Sequence, residues 1–233
     1  MRALAERVRV VELCRELSRR GFLAGTGGNL ALRIDAEHMA VTPSATDYHT
    51  MQPQDVSVLR IADLRQLEGA LPPSVESSLH RRVLRARADC QASVHTHQPV
   101  ASACTLLGRP LAVGAAGARQ LLGERIALVG YAPSGTAWLA ARLAAALRPD
   151  IHAYLMRNHG VLCCVRTLAD VVPALEAFEA VAAQHLRERI AAQALAMPAR
   201  RVVLDGILEA LGALEQAHAG AARASQPQPA STS

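Results

Sequence analysis

The chain has 233 residues, of which 51% are hydrophobic and 19% charged, so it fits a globular fold, and disorder over most of its length is excluded. Its net charge is +5 and all 25 basic residues are arginines, so lysine Schiff bases, lysine-anchored pyridoxal phosphate and Walker-type phosphate loops are excluded. No apolar run reaches the roughly 18 residues of a membrane span, and the charged N-terminal segment is unlike a signal peptide, so we expect a cytoplasmic protein without a membrane partner.

The first half of the chain predicts one helix followed by short strands. Residues 1–20 are amphipathic and predict a helix that ends at Gly21. Apolar residues bounded by turn residues predict strands over 30–34, 39–42 and 55–61. Strands that follow one another so closely along the chain favour antiparallel pairing.

A helix and a strand come next. After a Pro-Pro pair, Ser74 is a suitable N-cap, and a helix is predicted from there to about Arg87. The stretch QASVHTH, residues 91–97, predicts a strand. A further helix is predicted from the Gln-Pro pair that follows, through Leu107.

The second half of the chain alternates strands and helices after a segment, 108–124, that is rich in glycine and alanine and predicts no definite element. The predicted elements are a strand over 125–132, a helix over 134–148, a strand over 153–165 interrupted at 158–160, and helices over 167–195 and 204–218. We therefore expect one α/β domain over 1–218, a mostly antiparallel sheet flanked by helices, and a disordered tail over 219–233.

Neither the arginines nor the cysteines form a recognisable motif. The arginines are spread along the chain without a nucleic-acid-binding signature, so no nucleic-acid partner is expected. The five cysteines are odd in number and contain no CxxC pair, which argues against a disulfide framework.

Three histidines are candidates for a metal site. His95 and His97 are separated by one residue on a predicted strand, so their side chains point to the same face. His159 lies in the sequence RNHG, within another apolar strand. Three imidazoles suit Zn²⁺ or a related transition ion and leave coordination positions open for a substrate, although core or surface histidines would give the same pattern.

Glu76 is a candidate fourth ligand or general base. It falls in the first turn of the predicted helix, where a carboxylate also complements the helix dipole. The short connection from this helix to the HTH strand can bring Glu76 close to the histidines, and a carboxylate beside a metal can accept protons. His80 shares the helix face of Glu76; we favour a packing role for it over a supporting role at the metal.

The glycine-rich sequence GTGGN, residues 25–29, is a candidate anion-binding turn. It is not a dinucleotide fingerprint, because the position that would need the last glycine is Leu30. Backbone N–H groups near Thr26 and Asn29 could bind an anion, but a plain turn would have the same sequence.

The order of GTGGN, TPSA, PSVES, HTH and RNHG resembles the class II aldolase/adducin family, over roughly residues 5–200. The resemblance implies an αβα sandwich around a mostly antiparallel sheet, and a homotetramer with active sites at subunit interfaces. It also implies a divalent metal, Zn²⁺ first and Mn²⁺, Co²⁺ or Mg²⁺ as alternatives, bound by His95, His97 and His159, with Glu76 as a further ligand that then acts as the base.

The same resemblance implies a site for a substrate phosphate. The residues that match the family's phosphate-binding positions are Gly28, Asn29, Ser44, Ala45, Ser74 and Val75. Two of these depart from the family's aldolases, because Val75 replaces a hydroxyl residue and Ala45 replaces a glycine.

The resemblance implies a lyase of carbohydrate metabolism that cleaves a C–C bond of a small hydroxy-carbonyl substrate through a metal-stabilised enediolate. The substrate would carry a phosphate or a carboxylate. The sugar-phosphate aldolases have a tyrosine acid in the segment that corresponds to 108–127, which contains none here. A decarboxylase or dehydratase with the same metal site is therefore the alternative, and a non-catalytic scaffold is disfavoured because all four metal-site residues are present.

Overall fold

The computed structural model describes residues 1–23, 25 and 27–224. The helices in this part of the chain are α1 (Leu4–Arg19), α2 (Ser77–Ala86), α3 (Pro99–Cys104), α4 (Ala116–Leu122), α5 (Ala137–Ala146), α6 (Val171–Ala196) and α7 (Arg201–Ala224). The strands are β1 (Asn29–Arg33), β2 (His38–Val41), β3 (Ser57–Arg60), β4 (Gln66–Glu68), β5 (Ala92–Thr96), β6 (Leu111–Ala112), β7 (Arg125–Val129), β8 (Ala153–Met156) and β9 (Val161–Val165).

The strands form one sheet in the order β4-β3-β2-β1-β5-β9-β8-β7-β6. Every neighbouring pair is antiparallel except β7 and β8, so the expected mostly antiparallel sheet is confirmed. Strand β9, near the middle of the sheet, has side chains on both faces that pack against helices. Its alternate residues Val161 and Cys163 join the core beside α1, α3 and α6, whereas Leu162 and Cys164 join the core beside α2 and α5. The molecule is thus an αβα sandwich.

The structure adds elements that the sequence patterns did not predict. β4 and β6 are only three and two residues long, too short to show an alternating pattern. The glycine- and alanine-rich segment holds β6 and the short helix α4. Conversely, the break in the predicted strand at 158–160 is confirmed as a turn between β8 and β9, in which Asn158 adopts φ 55°.

The start of α2 differs from the prediction. The helix begins at Ser77, and Ser74 is therefore not its N-cap. Glu76 occupies the cap position and lies outside the first turn, and its side chain makes no capping hydrogen bond. The Ser74 hydroxyl instead accepts a hydrogen bond from the Glu76 N–H at 3.2 Å, and the Ser77 N–H donates to the Ser74 carbonyl at 3.0 Å. These two hydrogen bonds form a turn before the helix, and the Glu76 side chain takes no part in them.

The C-terminal helix is longer than predicted. α7 continues through residue 224, so residues 219–224 of the predicted tail are helical. Alanine dominates this stretch, and its high helix propensity outweighs the single Gly220. The remaining tail residues, 225–233, lie outside the described part of the chain. None of the described helices is long and apolar enough to cross a membrane.

Candidate metal centre

Strand register brings the first candidate residues to one face of the sheet. Ser93 and His95 alternate along β5, and Asn29 on β1 lies directly opposite His95. Directly opposed residues of an antiparallel pair share a face, so all three side chains point towards α2. His97 follows the last residue of β5, and His159 lies in the turn between β8 and β9.

The three predicted histidine ligands converge. Nε2 of His95 lies 2.8 Å from Nε2 of His97 and 3.1 Å from Nε2 of His159. The ligand atoms of the three side chains all lie within 4.8 Å of one another. Two nitrogens bound to one zinc ion lie at most about 4.2 Å apart, so both nitrogen pairs that include His95 fit a shared ion.

The chemistry of His95 fits a bound cation. Its Nδ1 lies 2.8 Å from the Val161 carbonyl, so Nδ1 carries the proton and Nε2 presents a lone pair to the site. Burial lowers the pKa of His95 to about 3, so the ring is neutral at pH 7. That lone pair faces the Glu76 carboxylate at 3.2 Å, and two acceptors at this distance without a proton between them fit a shared cation.

Glu76 is held from two sides. Its Oε2 accepts a hydrogen bond from the Asn29 amide at 2.9 Å, and its Oε1 accepts one from the Ser134 hydroxyl at 2.8 Å. Oε1 also lies 3.1 Å from Nε2 of His159. Burial by itself raises the pKa of Glu76, but the hydrogen bonds from His159, Asn29 and Ser134 hold it well below its usual range. Glu76 is therefore a carboxylate at neutral pH.

A buried chain of hydrogen bonds leads away from Glu76. The Asn29 amide that donates to Glu76 has its oxygen 2.7 Å from Nε2 of His80, and Nδ1 of His80 lies 2.8 Å from the Ser93 hydroxyl. The sequence favours a packing role for His80. The structure instead connects its ring to the carboxylate through one intervening side chain.

Gly160 allows the histidine-bearing segments to pack closely. A Cβ at this position would lie 2.6 Å from Cδ2 of His97, 2.7 Å from the Thr96 carbonyl oxygen and 2.9 Å from Cε1 of His95. Real Cβ atoms do not approach heavy atoms so closely, so the position next to His159 requires glycine.

The predicted phosphate-binding segments lie in two groups. The segments that hold Ser44 and Ser74 run side by side, because the Ser44 N–H donates to the Pro72 carbonyl at 2.9 Å and the Ser74 N–H donates to the Thr42 carbonyl at 3.0 Å. Ala45 adopts φ 48°, the conformation that suits the glycine of the family pattern. The Val75 side chain is 68% exposed.

The glycine-rich turn supplies the second group. Gly28 has φ 85° and its carbonyl accepts a hydrogen bond from the Tyr48 hydroxyl. Asn29 turns its side chain towards Glu76 and His80. Thr26 lies outside the described residues.

Sequence reasoning did not identify Ser134 as part of the site. The sequence PSGT predicted Ser134 or Thr136 near the start of a helix, and Thr136 is indeed the N-cap of α5. Nothing local links Ser134 to Glu76, which is 58 residues away along the chain. The contact exists because α2 packs against α5, and only the tertiary structure shows this.

Comparisons with known proteins agree with this arrangement. Residues 8–186 match the family model of the class II aldolase and adducin N-terminal domain. A 5-methylthioribulose-1-phosphate/5-deoxyribulose-1-phosphate aldolase of Rhodospirillum rubrum is 30% identical over 79% of this chain and 81% of its own. A methylthioribulose-1-phosphate dehydratase of Yersinia pestis is 27% identical over 76% of this chain and 84% of its own.

A solved structure agrees as well. The L-fuculose-1-phosphate aldolase of Thermus thermophilus superposes with a TM-score of 0.66 at 25% identity, over 81% of this chain and 95% of its own. The family model spans more than half of the chain, and the relatives named above are aldolases and a dehydratase, which are lyases. The chain therefore belongs to the class II aldolase and adducin family and is an enzyme of the aldolase-type lyases.

Proposed function

We propose that this enzyme cleaves a C–C bond of a small phosphorylated hydroxy-carbonyl substrate, with Glu76 as the base beside a divalent metal. The observation that carries the proposal is the convergence of three imidazole nitrogens and one buried carboxylate. A lyase that works through an enediolate needs positive charge at the substrate oxygens and a base at the adjacent carbon, and this arrangement can provide both.

The metal would be held by His95, His97 and His159. Neutral imidazoles are good ligands for Zn²⁺, which is the ion we propose, with Mn²⁺, Co²⁺ and Mg²⁺ as the alternatives. When bound, the ion supplies Lewis-acid stabilisation of negative charge on the substrate oxygens. Glu76 can complete the coordination in the resting enzyme, since its two oxygens lie 3.1 and 3.2 Å from the ligand nitrogens.

Glu76 would hold the proton that moves during cleavage. Its low pKa keeps it ionised at neutral pH, so it can accept a proton from a substrate carbon or hydroxyl. The Asn29 and Ser134 hydrogen bonds fix the plane of the carboxylate, which reduces the reorganisation needed in the reaction.

The substrate phosphate would lie against the paired segments near Ser44 and Ser74. The relatives named above act on ketose 1-phosphates, which supports a substrate of that class. We propose Gly28, Asn29, Ser44, Ala45, Ser74 and Val75 as the surrounding residues. The Ser74 hydroxyl accepts from the Glu76 N–H and can still donate its own proton to an anion.

A dehydratase or decarboxylase is the second candidate. Exposed Val75 cannot donate a hydrogen bond where the aldolases have a hydroxyl residue, and the segment 108–127 contains no tyrosine to act as an acid. Loss of CO₂ requires no phosphate on the substrate, so a decarboxylase would not need the hydroxyl residue that Val75 replaces. The similarity to a dehydratase supports this alternative for the same metal site.

We further propose a homotetramer in the cytoplasm as the working form. Large apolar side chains are exposed near the end of α6 and at the start of α7, where a second copy could bury them: Leu195, Val202, Val203 and Ile207. The five cysteines are free, as is usual for proteins of a reducing compartment.

The proposed function is tested by hydrogen exchange into dihydroxyacetone phosphate, the three-carbon product of aldol cleavage of a ketose 1-phosphate. Metal-loaded protein is incubated with this compound in D₂O, and the hydroxymethyl protons are followed by NMR. We expect exchange at the hydroxymethyl carbon, because enolisation is the half-reaction that Glu76 would perform. Glu76→Gln is the matched control, since it keeps the size of the side chain and one acceptor oxygen but removes the base.

The two outcomes separate the candidates. Exchange that is lost in Glu76→Gln supports the aldolase. An absence of exchange in protein shown to contain metal would overturn it, and β-keto and aromatic carboxylic acids would then be tested as substrates of a decarboxylase.

A further inference from the structure

The hydrogen bonds around Asn29 determine which end of its amide faces Glu76. The Asn29 nitrogen lies 2.9 Å from Oε2 of Glu76, and its oxygen lies 2.7 Å from Nε2 of His80. An amide turned the other way would put an oxygen against the carboxylate, which repels it. The arrangement is consistent only if Nε2 of His80 carries a proton and donates it to the Asn29 oxygen.

The other ring nitrogen of His80, Nδ1, also has a hydrogen-bond partner. Nδ1 lies 2.8 Å from the Ser93 hydroxyl, which can donate to it when Nε2 holds the ring's single proton. Burial lowers the pKa of His80 to about 4, which agrees with a neutral ring. The direction of donation is then the same at every step, from Ser93 to His80 to Asn29 to Glu76.

We infer that His80 is a positioning residue: its Nε2–H holds the Asn29 amide in the one orientation that donates to Glu76. The inference rests on the proposed role of Glu76 as the base. Asn29 therefore serves to orient the carboxylate, in addition to any contact that its second amide hydrogen makes with a substrate. Ser134 holds the opposite oxygen of Glu76, so the loss of His80 would free one side of the carboxylate while the other stays bound.

The hydrogen-bonded side chains from Ser93 to Asn29 are buried and lie on adjacent elements of the fold. His80, Ser93 and Asn29 are at most 7% exposed, so water cannot readily replace a lost partner. Asn29 and Ser93 lie on adjacent strands, and His80 lies on the helix that covers them. The elements β1, β5 and α2 therefore carry these hydrogen-bonded side chains and also bring Glu76 close to His95.

The first test reads the His80 tautomer directly and needs neither substrate nor metal. In protein labelled with ring-¹⁵N histidine, two-bond proton–nitrogen correlation spectra distinguish the tautomers, and the His80→Gln variant assigns the signal. We expect neutral His80 with the proton on Nε2. A proton on Nδ1 would overturn the inference, because the Asn29 amide would then have to donate to His80 and turn its oxygen to Glu76.

The second test uses exchange into dihydroxyacetone phosphate. His80→Met removes the donor to Asn29, and we expect the exchange rate at saturating substrate to fall about 10- to 100-fold. The Michaelis constant should change less than the rate, because Asn29 is only one of six residues proposed around the substrate, whereas Oε2 of Glu76 accepts its hydrogen bond from Asn29. His80→Gln is the conservative variant, since its amide can still donate to the Asn29 oxygen, and it should recover most of the rate.

The outcomes remain separable from those of the proposed function. Equal rate losses in His80→Met and His80→Gln, or a change confined to the Michaelis constant, would overturn the positioning role. If wild-type protein exchanges no protons of dihydroxyacetone phosphate, the aldolase proposal fails, while the tautomer measurement still decides how Asn29 is oriented.

Discussion

Gly160 is the residue whose replacement should most directly disturb the metal centre. In Gly160→Ala, the added Cβ would lie 2.6 Å from His97 and 2.9 Å from His95, so at least one ligand ring must move. We expect divalent metal affinity to fall about 10- to 100-fold, as it does when the surroundings of ligands are altered. Competition with a chromophoric chelator measures this affinity.

Gly117→Ala is the matched control for Gly160→Ala. A Cβ at Gly117 meets no heavy atom within 4 Å, and the position lies in α4. Its metal affinity should equal that of wild type. Unchanged affinity in Gly160→Ala as well would contradict the close packing of the histidine segments.

Ala45 should carry backbone strain. Its φ of 48° is a left-handed conformation that costs an L-residue about 1–2 kcal/mol, whereas glycine adopts it freely. After subtraction of the greater unfolded-state entropy of glycine, Ala45→Gly should raise the free energy of unfolding by roughly 0.5–1 kcal/mol. Urea denaturation of the metal-free protein measures the change.

Ala141→Gly is the matched control for Ala45→Gly, because the same substitution should lower the free energy of unfolding at this position. Ala141 is exposed in the middle of helix α5, where glycine costs about 1 kcal/mol relative to alanine. Destabilisation of Ala45→Gly by a similar amount would show that Ala45 is not in the left-handed region.

At the scale of elements, α6 fixes the start of α3, which begins two residues after His97. The Glu179 carboxylate on α6 accepts hydrogen bonds from the N–H groups of Val100 at 2.7 Å and Ala101 at 2.9 Å. Glu179→Ala leaves two buried donors unpaired and should lower the free energy of unfolding by roughly 2–4 kcal/mol. Urea denaturation measures this loss.

Glu179→Gln distinguishes the hydrogen bonds from simple packing. Its amide oxygen can still accept one of the two bonds, so its loss of stability should be smaller than that of Glu179→Ala. Equal stability of Glu179→Ala and wild type would contradict the role of α6 in anchoring α3.

The strand β5 and the helix α2 differ in how well the sequence predicts where they begin and end. The apolar stretch locates β5, because His95 lies in a buried strand between clear turn and helix signals and His97 directly follows that strand. The sequence does not locate the true start of α2, because Ser74 satisfies the rules for an N-cap while the chain uses its hydroxyl in a preceding turn. Local rules cannot distinguish two such uses of one serine.

The candidate site also contains residues that the sequence predicts and features that it does not predict. Residue types and spacing predict that His95, His97, His159 and Glu76 are brought together, and the structure brings these four side chains together. Residue types and spacing do not predict Ser134 or the orientation of the Asn29 amide. Those features depend on how α5 and α2 pack on the sheet, and a single sequence contains no period or cap that encodes such a contact.

At the scale of the whole molecule, buried histidines should make stability depend on pH. Burial lowers the pKa of His80 to about 4 and of His95 to about 3, and it also lowers that of His97. The unfolded chain binds protons at these histidines near pH 6.5, so between that pH and the folded pKa values it holds more protons than the native state. The stability of the metal-free protein should therefore fall as the pH falls from 7 to 5.

His80 should supply a separable part of this dependence. Its shift corresponds to about 2 kcal/mol between pH 7 and pH 5, which His80→Gln should remove because glutamine does not titrate. Urea denaturation of EDTA-treated protein at the two pH values gives the difference. An identical pH dependence in the variant would contradict the buried, neutral state of His80.

The metal content of the purified protein tests the central claim most directly. Elemental analysis of wild-type protein and of His97→Ala, with circular dichroism to compare their folds, is the measurement. The account predicts about one divalent ion per wild-type chain and almost none in the folded variant, because two imidazoles and a carboxylate hold the ion less tightly than the full set. A metal-free wild-type protein, or a His97→Ala variant that keeps its ion, would contradict it.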